Sequence, residues 1–120
     1  MSLKIYNTIS GQKEVFIPIV QNKVGMYQCG PTVYWTQHIG NMRSVLISDL
    51  IYRSLKYLDF DVTFVRNITD VGHLSNDDDS GEDKMEVATK RDNKNPREIA
   101  DFYLSKFNTD AEKLNTLPVD

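Results

Sequence analysis

Two short segments of the chain carry residues that can do chemistry. Residues 29–34 read Cys-Gly-Pro-Thr-Val-Tyr, and residues 38–41 read His-Ile-Gly-Asn. A thiolate is a strong ligand for soft metal ions, and an imidazole beside the N–H groups of a helix start can bind phosphate. If both face one crevice, the pattern indicates an enzyme that selects a sulfur-containing substrate and activates it with a nucleoside triphosphate.

The elements that must position these segments follow from the spacing of apolar residues. Residues 24–28 form a compact apolar run that predicts a buried strand, which Gly30-Pro31 ends. Helical spacing predicts a long helix over residues 41–58, and the β-rich residues 61–67 predict a second strand. This order predicts a βαβ unit, hence a parallel sheet with a right-handed crossover. The buried stripe of the helix is expected to be Met42, Val45, Leu46, Leu50, Ile51, Leu55 and Leu58.

Further elements flank this unit. Residues 3–5 and 15–17 predict two strands of an N-terminal β-hairpin around Ser10-Gly11. Residues 69–81 are loop-like, and residues 82–91 predict a short helix. A capping Asn95, followed by Pro and then Glu at the third helical position, begins a last helix that is expected to reach residue 115. Its apolar stripe is Ile99, Tyr103, Phe107, Ala111 and Leu114.

Composition excludes several classes of protein. The chain has 120 residues and a formal net charge of −3, so it is not a basic nucleic-acid platform. No apolar run approaches the roughly 20 residues of a membrane span. One cysteine cannot form an intrachain disulfide, which indicates a reducing, cytoplasmic setting. Cys29, His38 and His73 together cannot complete a structural zinc site, which needs four ligands.

Ligands of parallel α/β sheets bind beyond the carboxyl ends of the strands. The segment from Cys29 to Asn41 follows such an end and leads into the long helix. There His38 and Asn41 can donate hydrogen bonds to phosphate, and Gly40 would let a nucleotide approach the backbone closely. Plainer interpretations remain open: Cys29 as a small apolar core residue, and His38 as a surface residue at a capped helix start.

Residues 27–34, 38–41 and 66–70 together resemble the N-terminal catalytic segment of cysteinyl-tRNA synthetases, which are class I aminoacyl-tRNA synthetases. The similarity begins at residues 3–8 and continues to residues 114–115, so it covers nearly the whole chain. It implies that residues 1–120 are the N-terminal portion of a Rossmann-type α/β catalytic domain. This would be an incomplete half: a parallel sheet with flanking helices, preceded by the β-hairpin.

The resemblance also implies roles for particular residues. Cys29 matches a ligand of the catalytic zinc, to which the substrate cysteine binds through its own thiolate. Zinc prefers thiolate to hydroxyl, so serine would be rejected without editing. The implied cysteine pocket is Gly30, Thr32 and Thr69, and the implied ATP motif is His38, Gly40 and Asn41, with His38 and Asn41 catalytic.

The implied reaction is attack of the cysteine carboxylate on the α-phosphorus of ATP, followed by transfer of cysteine to tRNA(Cys). ATP would act with Mg²⁺. In the family, the remaining zinc ligands and the Lys-rich loop of the ATP site lie downstream, and residues 83–86 are not that loop. The isolated chain is therefore expected to lack activity and to bind zinc weakly.

Three alternatives remain open at this stage. A cysteine ligase of mycothiol biosynthesis shares the zinc and ATP elements, and a nucleotidylyltransferase shares the His-x-Gly-x motif but does not need Cys29. The third is a catalytically inactive binding module. Of the other candidates, the loop residue His73 and the acidic segment 77–83 are expected to be solvated, whereas Trp35 is expected at the mouth of the pocket.

Overall fold

The computed structural model describes residues 3–70 and 84–120. Strands β1 (Lys4–Asn7) and β2 (Gln12–Val15) pair antiparallel around a tight turn. Gly11 lies in that turn at φ +69°, a left-handed conformation that glycine adopts without strain. The predicted N-terminal hairpin is confirmed, but the prediction that its second strand lies at residues 15–17 is wrong, because β2 ends at Val15.

The site is carried by a strand–helix–strand unit. Strand β3 (Lys23–Gln28) leads to helix α1 (Ile39–Tyr57), which returns to strand β4 (Asp61–Arg66). The two strands pair parallel over their whole length, from Lys23 opposite Asp61 to Gln28 opposite Arg66. The predicted parallel βαβ arrangement is confirmed, with α1 beginning two residues before the prediction.

Two further helices follow. Helix α2 (Lys84–Asp92) matches the short helix predicted for residues 82–91, while helix α3 (Pro96–Lys113) ends two residues before its predicted limit. The predicted cap of α3 is confirmed, because the Asn95 side chain accepts from the Glu98 N–H at 2.9 Å and the Glu98 carboxylate accepts from the Asn95 N–H at 3.1 Å. His73 and segment 77–83 lie outside the described residues.

Helix α3 joins two apolar clusters in the described part of the chain. Its N-terminal half packs with α2 around Val33, Ala88, Ile99 and Ala100. Its C-terminal half packs on α1 around Met42, Val45, Phe107 and Ala111. Within the described part of the chain, no helix is long and apolar enough to cross a membrane.

The predicted buried stripe of α1 is partly wrong. Leu50 and Ile51 are exposed, whereas Asp49 and Tyr52 are buried. The buried face follows the helical repeat that starts at Met42, and this repeat passes through position 49. Burial of the Asp49 carboxylate is tolerated because it accepts from Arg53 Nε at 2.7 Å and from the Leu117 N–H at 2.8 Å.

The prediction that β3 is buried is also wrong. Only Val24 of its six residues is buried. In the described part of the chain this sheet has two strands, so both strands are edge strands. Parallel strands are normally covered on both faces by other layers, and here α1 contacts mainly β4.

Candidate functional site

A cleft of about 400 Å³ opens beyond the carboxyl end of β3 and beside the start of α1. Five of the predicted site residues line it, namely Cys29, Gly30, Thr32, His38 and Asn41. Trp35 also lines it and is about half exposed, in agreement with the predicted place at the pocket mouth. The cleft therefore lies where the sequence predicted ligand binding, beyond the carboxyl end of a parallel strand.

The Cys29 thiol is free and exposed at this cleft. The alternative of a small apolar core residue is therefore wrong. Among the described residues, no three His, Cys, Asp or Glu side chains converge to hold a metal ion. Cys29 can thus supply one ligand to a metal, and the rest of the described chain does not complete the set.

His38 is the N-cap residue of α1. Its Nδ1 accepts from the Gly40 N–H at 3.0 Å, and the Asn41 Oδ1 accepts from the His38 N–H at 3.2 Å. In a neutral imidazole that accepts at Nδ1, the proton resides on Nε2. The capping bond therefore leaves Nε2 as the ring donor of His38, a residue that lines the cleft, and the two interpretations of this residue are compatible.

Gly40 does not line the cleft. A Cβ at this position would lie 2.9 Å from Cε1 and 3.0 Å from Nδ1 of His38. A Cβ at position 40 would therefore meet the His38 ring, while the approach of a nucleotide to the Gly40 backbone stays a prediction. Glycine at this position allows the imidazole to fold back over the first turn of the helix.

Thr69 is not among the residues that line the cleft, but its backbone supports them. The Val33 N–H donates to the Thr69 carbonyl at 2.9 Å, and the Thr69 N–H donates to the Pro31 carbonyl at 3.1 Å. Thr32 and Thr69 thereby form a parallel bridge beyond the ends of β3 and β4. The structure brings Thr69 next to Thr32 through the main chain.

Sequence reasoning assigned no role to Arg91, which lies at the end of the short helix predicted over residues 82–91. Its guanidinium carbon lies 4.0 Å from the centre of the Trp35 ring. Its Nη2 donates to the Tyr34 carbonyl at 3.2 Å and to the Tyr103 hydroxyl at 3.1 Å. Trp35 also stacks on Tyr103, with ring centres 6.4 Å apart. Arg91 thus joins α2 and α3 to the rim of the cleft.

Charged groups around the cleft are held by defined partners. A hydrogen bond from the Arg91 guanidinium holds the pKa of the Asp92 carboxyl below its ordinary value, and the same bond raises the pKa of Arg91. Burial lowers the pKa of Arg66, an effect that the Asp49 charge opposes. Arg66 Nε donates to the Gln28 side chain at 2.9 Å. Because Gln28 lines the cleft, the positive charge of Arg66 lies next to the cleft wall.

Comparisons with known proteins show the family to which the chain belongs. Residues 15–120 match the family of class I (C) tRNA synthetase catalytic domains, and the chain belongs to this family. The chain is 52% identical over 115 residues to a cysteine–tRNA ligase of Treponema denticola. It is 47% identical over 116 residues to the same enzyme of Phocaeicola vulgatus and 42% identical over 116 residues to that of Deinococcus radiodurans.

These alignments cover 96%, 97% and 97% of this chain, respectively, but 23%, 24% and 23% of the three relatives. The chain therefore spans about a quarter of the length of the curated relatives it matches, and it corresponds to their N-terminal part. The family resemblance inferred from the motifs is confirmed.

Gly30 packs so closely against Arg66 and Asn67 that a larger residue is expected to destabilise the chain. A Cβ at Gly30 would lie 1.8 Å from the Asn67 carbonyl oxygen and 2.8 Å from Arg66 Cγ. We expect Gly30→Ala to lower the free energy of unfolding by about 1–3 kcal/mol, because the backbone must move. Gly25→Ala is the matched control, since its Cβ meets no atom within 4 Å. Urea unfolding of both variants measures the difference, and equal stabilities would contradict the packing argument.

The contact between Arg91 and Trp35 generates a second prediction. Trp35 is the only tryptophan of the chain, so its fluorescence reports on the cleft rim. We expect Arg91→Ala to increase acrylamide quenching of Trp35 and to lower the free energy of unfolding by about 0.5–1 kcal/mol. Arg97→Ala is the control, because Arg97 pairs only with the exposed Asp101 on the same helix. Unchanged quenching in Arg91→Ala would contradict the predicted shielding.

Proposed function

We propose that this chain is the N-terminal part of the catalytic domain of a cysteine–tRNA ligase. The observation that carries the proposal is that Cys29 and His38 line one cleft at the end of β3. The Cys29 thiolate would then bind a metal ion and the His38 imidazole would bind phosphate in one cleft, where cysteine and ATP would lie side by side. The membership of the chain in the class I (C) synthetase family supports the same assignment.

In the proposed reaction, the carboxylate of cysteine attacks the α-phosphorus of ATP, which is bound with Mg²⁺, and pyrophosphate leaves. A hydroxyl of the terminal ribose of tRNA(Cys) then attacks the carbonyl carbon of the adenylate, so that the cysteinyl ester forms and AMP leaves. His38 donates from Nε2 to a phosphate oxygen on which charge develops, and Asn41 assists through its amide. Preorganised donors of this kind are among the largest contributions to catalysis in enzymes.

Selection of cysteine is assigned to the Cys29 side of the cleft. Cys29 would supply one ligand of a zinc ion whose other ligands come from residues beyond those described. Zinc bound there would favour the substrate thiolate over the hydroxyl of serine. Gly30 and Thr32, which line the cleft, would form the protein wall of the amino-acid pocket, and Thr69, which is paired to Thr32 through the main chain, would complete it beside them. A reducing cytoplasm would keep the exposed thiol free for this role.

His38→Asn tests the proposal because asparagine also caps helices well. In the protein from the complete reading frame, we expect this variant to keep its unfolding free energy within about 0.5 kcal/mol. We expect cysteine-dependent ATP–pyrophosphate exchange to fall about 10²–10³-fold, because the phosphate donor is lost.

His38→Ala provides the comparison, because it removes the cap as well and should also cost about 1 kcal/mol of stability. Wild-type exchange in the His38→Asn protein would show that His38 only caps α1. Absence of cysteine-dependent exchange in the wild-type protein would refute the proposed function itself.

A further inference from the structure

The parallel pairing of β3 with β4 changes register at the cleft. Gln28 pairs with Arg66 at the end of the strands, and the next bridge joins Thr32 to Thr69. Regular continuation would have placed Thr32 opposite Asp70. Residues 29–31 therefore stand opposite only residues 67–68, and the β3 side contains one extra residue. Extra residues of this kind bend the chain and redirect side chains, often beside active sites.

The side chain of Asn67 occupies this break in the ladder. Its Oδ1 accepts from the Gly30 N–H at 2.9 Å and from the Tyr27 hydroxyl at 2.9 Å. Its Nδ2 donates to Thr69 Oγ1 at 3.2 Å. Because the register has shifted, the Gly30 N–H bonds to this carboxamide instead of to a main-chain carbonyl of the ladder. One side chain thus connects both strand ends.

The direction of these bonds has a chemical consequence. Thr69 Oγ1 already accepts a hydrogen bond from Asn67, so the Thr69 hydroxyl hydrogen is available to another acceptor. On the opposite strand end, the bond to the Gly30 N–H fixes the residue that follows Cys29. Asparagine can accept from the Gly30 N–H and also donate to Thr69 Oγ1, because its carboxamide carries an acceptor and a donor on one rigid group.

We propose that Asn67 is a positioning residue that sets the placement of Cys29 and the donor direction of Thr69 for amino-acid binding. This proposal rests on the proposed function, which assigns Cys29 to zinc binding and Thr69 to cysteine binding. Asn67 acts through Gly30 and Thr69 and needs no contact with the substrate. The simpler alternative is that its carboxamide only satisfies polar groups at the strand ends.

Three variants separate the bond of the carboxamide to Gly30 from its bond to Thr69. Asn67→Asp keeps an acceptor for Gly30 but replaces the donor to Thr69 with a second acceptor, which draws the Thr69 hydrogen toward itself. Asn67→Ala removes both of these bonds and also the one from the Tyr27 hydroxyl. Tyr27→Phe is the matched control, because it removes only the other donor to Oδ1, and this tyrosine is largely exposed.

The first measurement is amide hydrogen exchange by NMR on the 120-residue chain. We expect Asn67→Ala to speed exchange of the Gly30 amide about tenfold or more relative to the amides of α1. Asn67→Asp and Tyr27→Phe should leave the Gly30 amide within about threefold of wild type. Equal acceleration at all amides, or none at Gly30, would overturn the anchoring of the Cys29 segment.

The second measurement is the kinetics of ATP–pyrophosphate exchange by the protein from the complete reading frame. We expect Asn67→Asp to raise KM for cysteine about tenfold or more while KM for ATP stays within about twofold. A merely structural role would change both constants together or neither, and either result overturns the proposal for Thr69. If the wild-type protein shows no cysteine-dependent exchange, the proposed function fails, and the role of Asn67 in cysteine binding fails with it. The amide exchange measurement still tests whether Asn67 holds the Gly30 amide in place.

Discussion

The close approach of the Gly30 backbone to the Asn67 carbonyl is the constraint on which the site depends. Only a residue without a side chain fits there, because a Cβ would lie 1.8 Å from that oxygen. The contact brings together the ends of β3 and β4 just where their pairing shifts by one residue. As a result the chain leaves the sheet at Cys29 and returns to pair at Thr32, so the thiol projects at the cleft.

The segment between β3 and α1 is held at further points along its length. Val33 is almost fully buried in the cluster shared by α2 and α3, Trp35 is covered by Arg91, and His38 caps α1. Sites whose side chains are fixed by packing and hydrogen bonds lose less free energy on ordering when they bind ligands. Helices α2 and α3 therefore contribute to the site although, apart from Phe107 of α3, they do not line the cleft.

Much of the fold could be predicted because its signals are local. The cap at Asn95 and the helical spacing of α1 depend on residues within a few positions of one another, and both were located within two residues. The burial of Asp49 and the exposure of Leu50 depend on which face of α1 meets its neighbours. That choice is made by tertiary packing, which periodicity alone does not determine.

In the candidate site, too, some features could be predicted from the sequence and others depend on tertiary contacts. Strand-end topology correctly placed Cys29 and His38 at one cleft. The reason for glycine at position 40 is a folded-back histidine ring, and the partner of Trp35 is an arginine 56 residues later in the chain. Neither contact leaves a periodic or compositional signal, so both required the three-dimensional structure.

We propose that one cleft combines metal-assisted selection of cysteine at Cys29 with activation of the cysteine carboxylate by ATP. The most direct measurement is ATP–pyrophosphate exchange by the protein from the complete reading frame, compared with its Cys29→Ser variant, alongside their zinc content. We predict exchange that depends on cysteine and not on serine, and a loss of about a hundredfold or more, with loss of zinc, in the variant. Full cysteine-dependent exchange by Cys29→Ser would contradict the account.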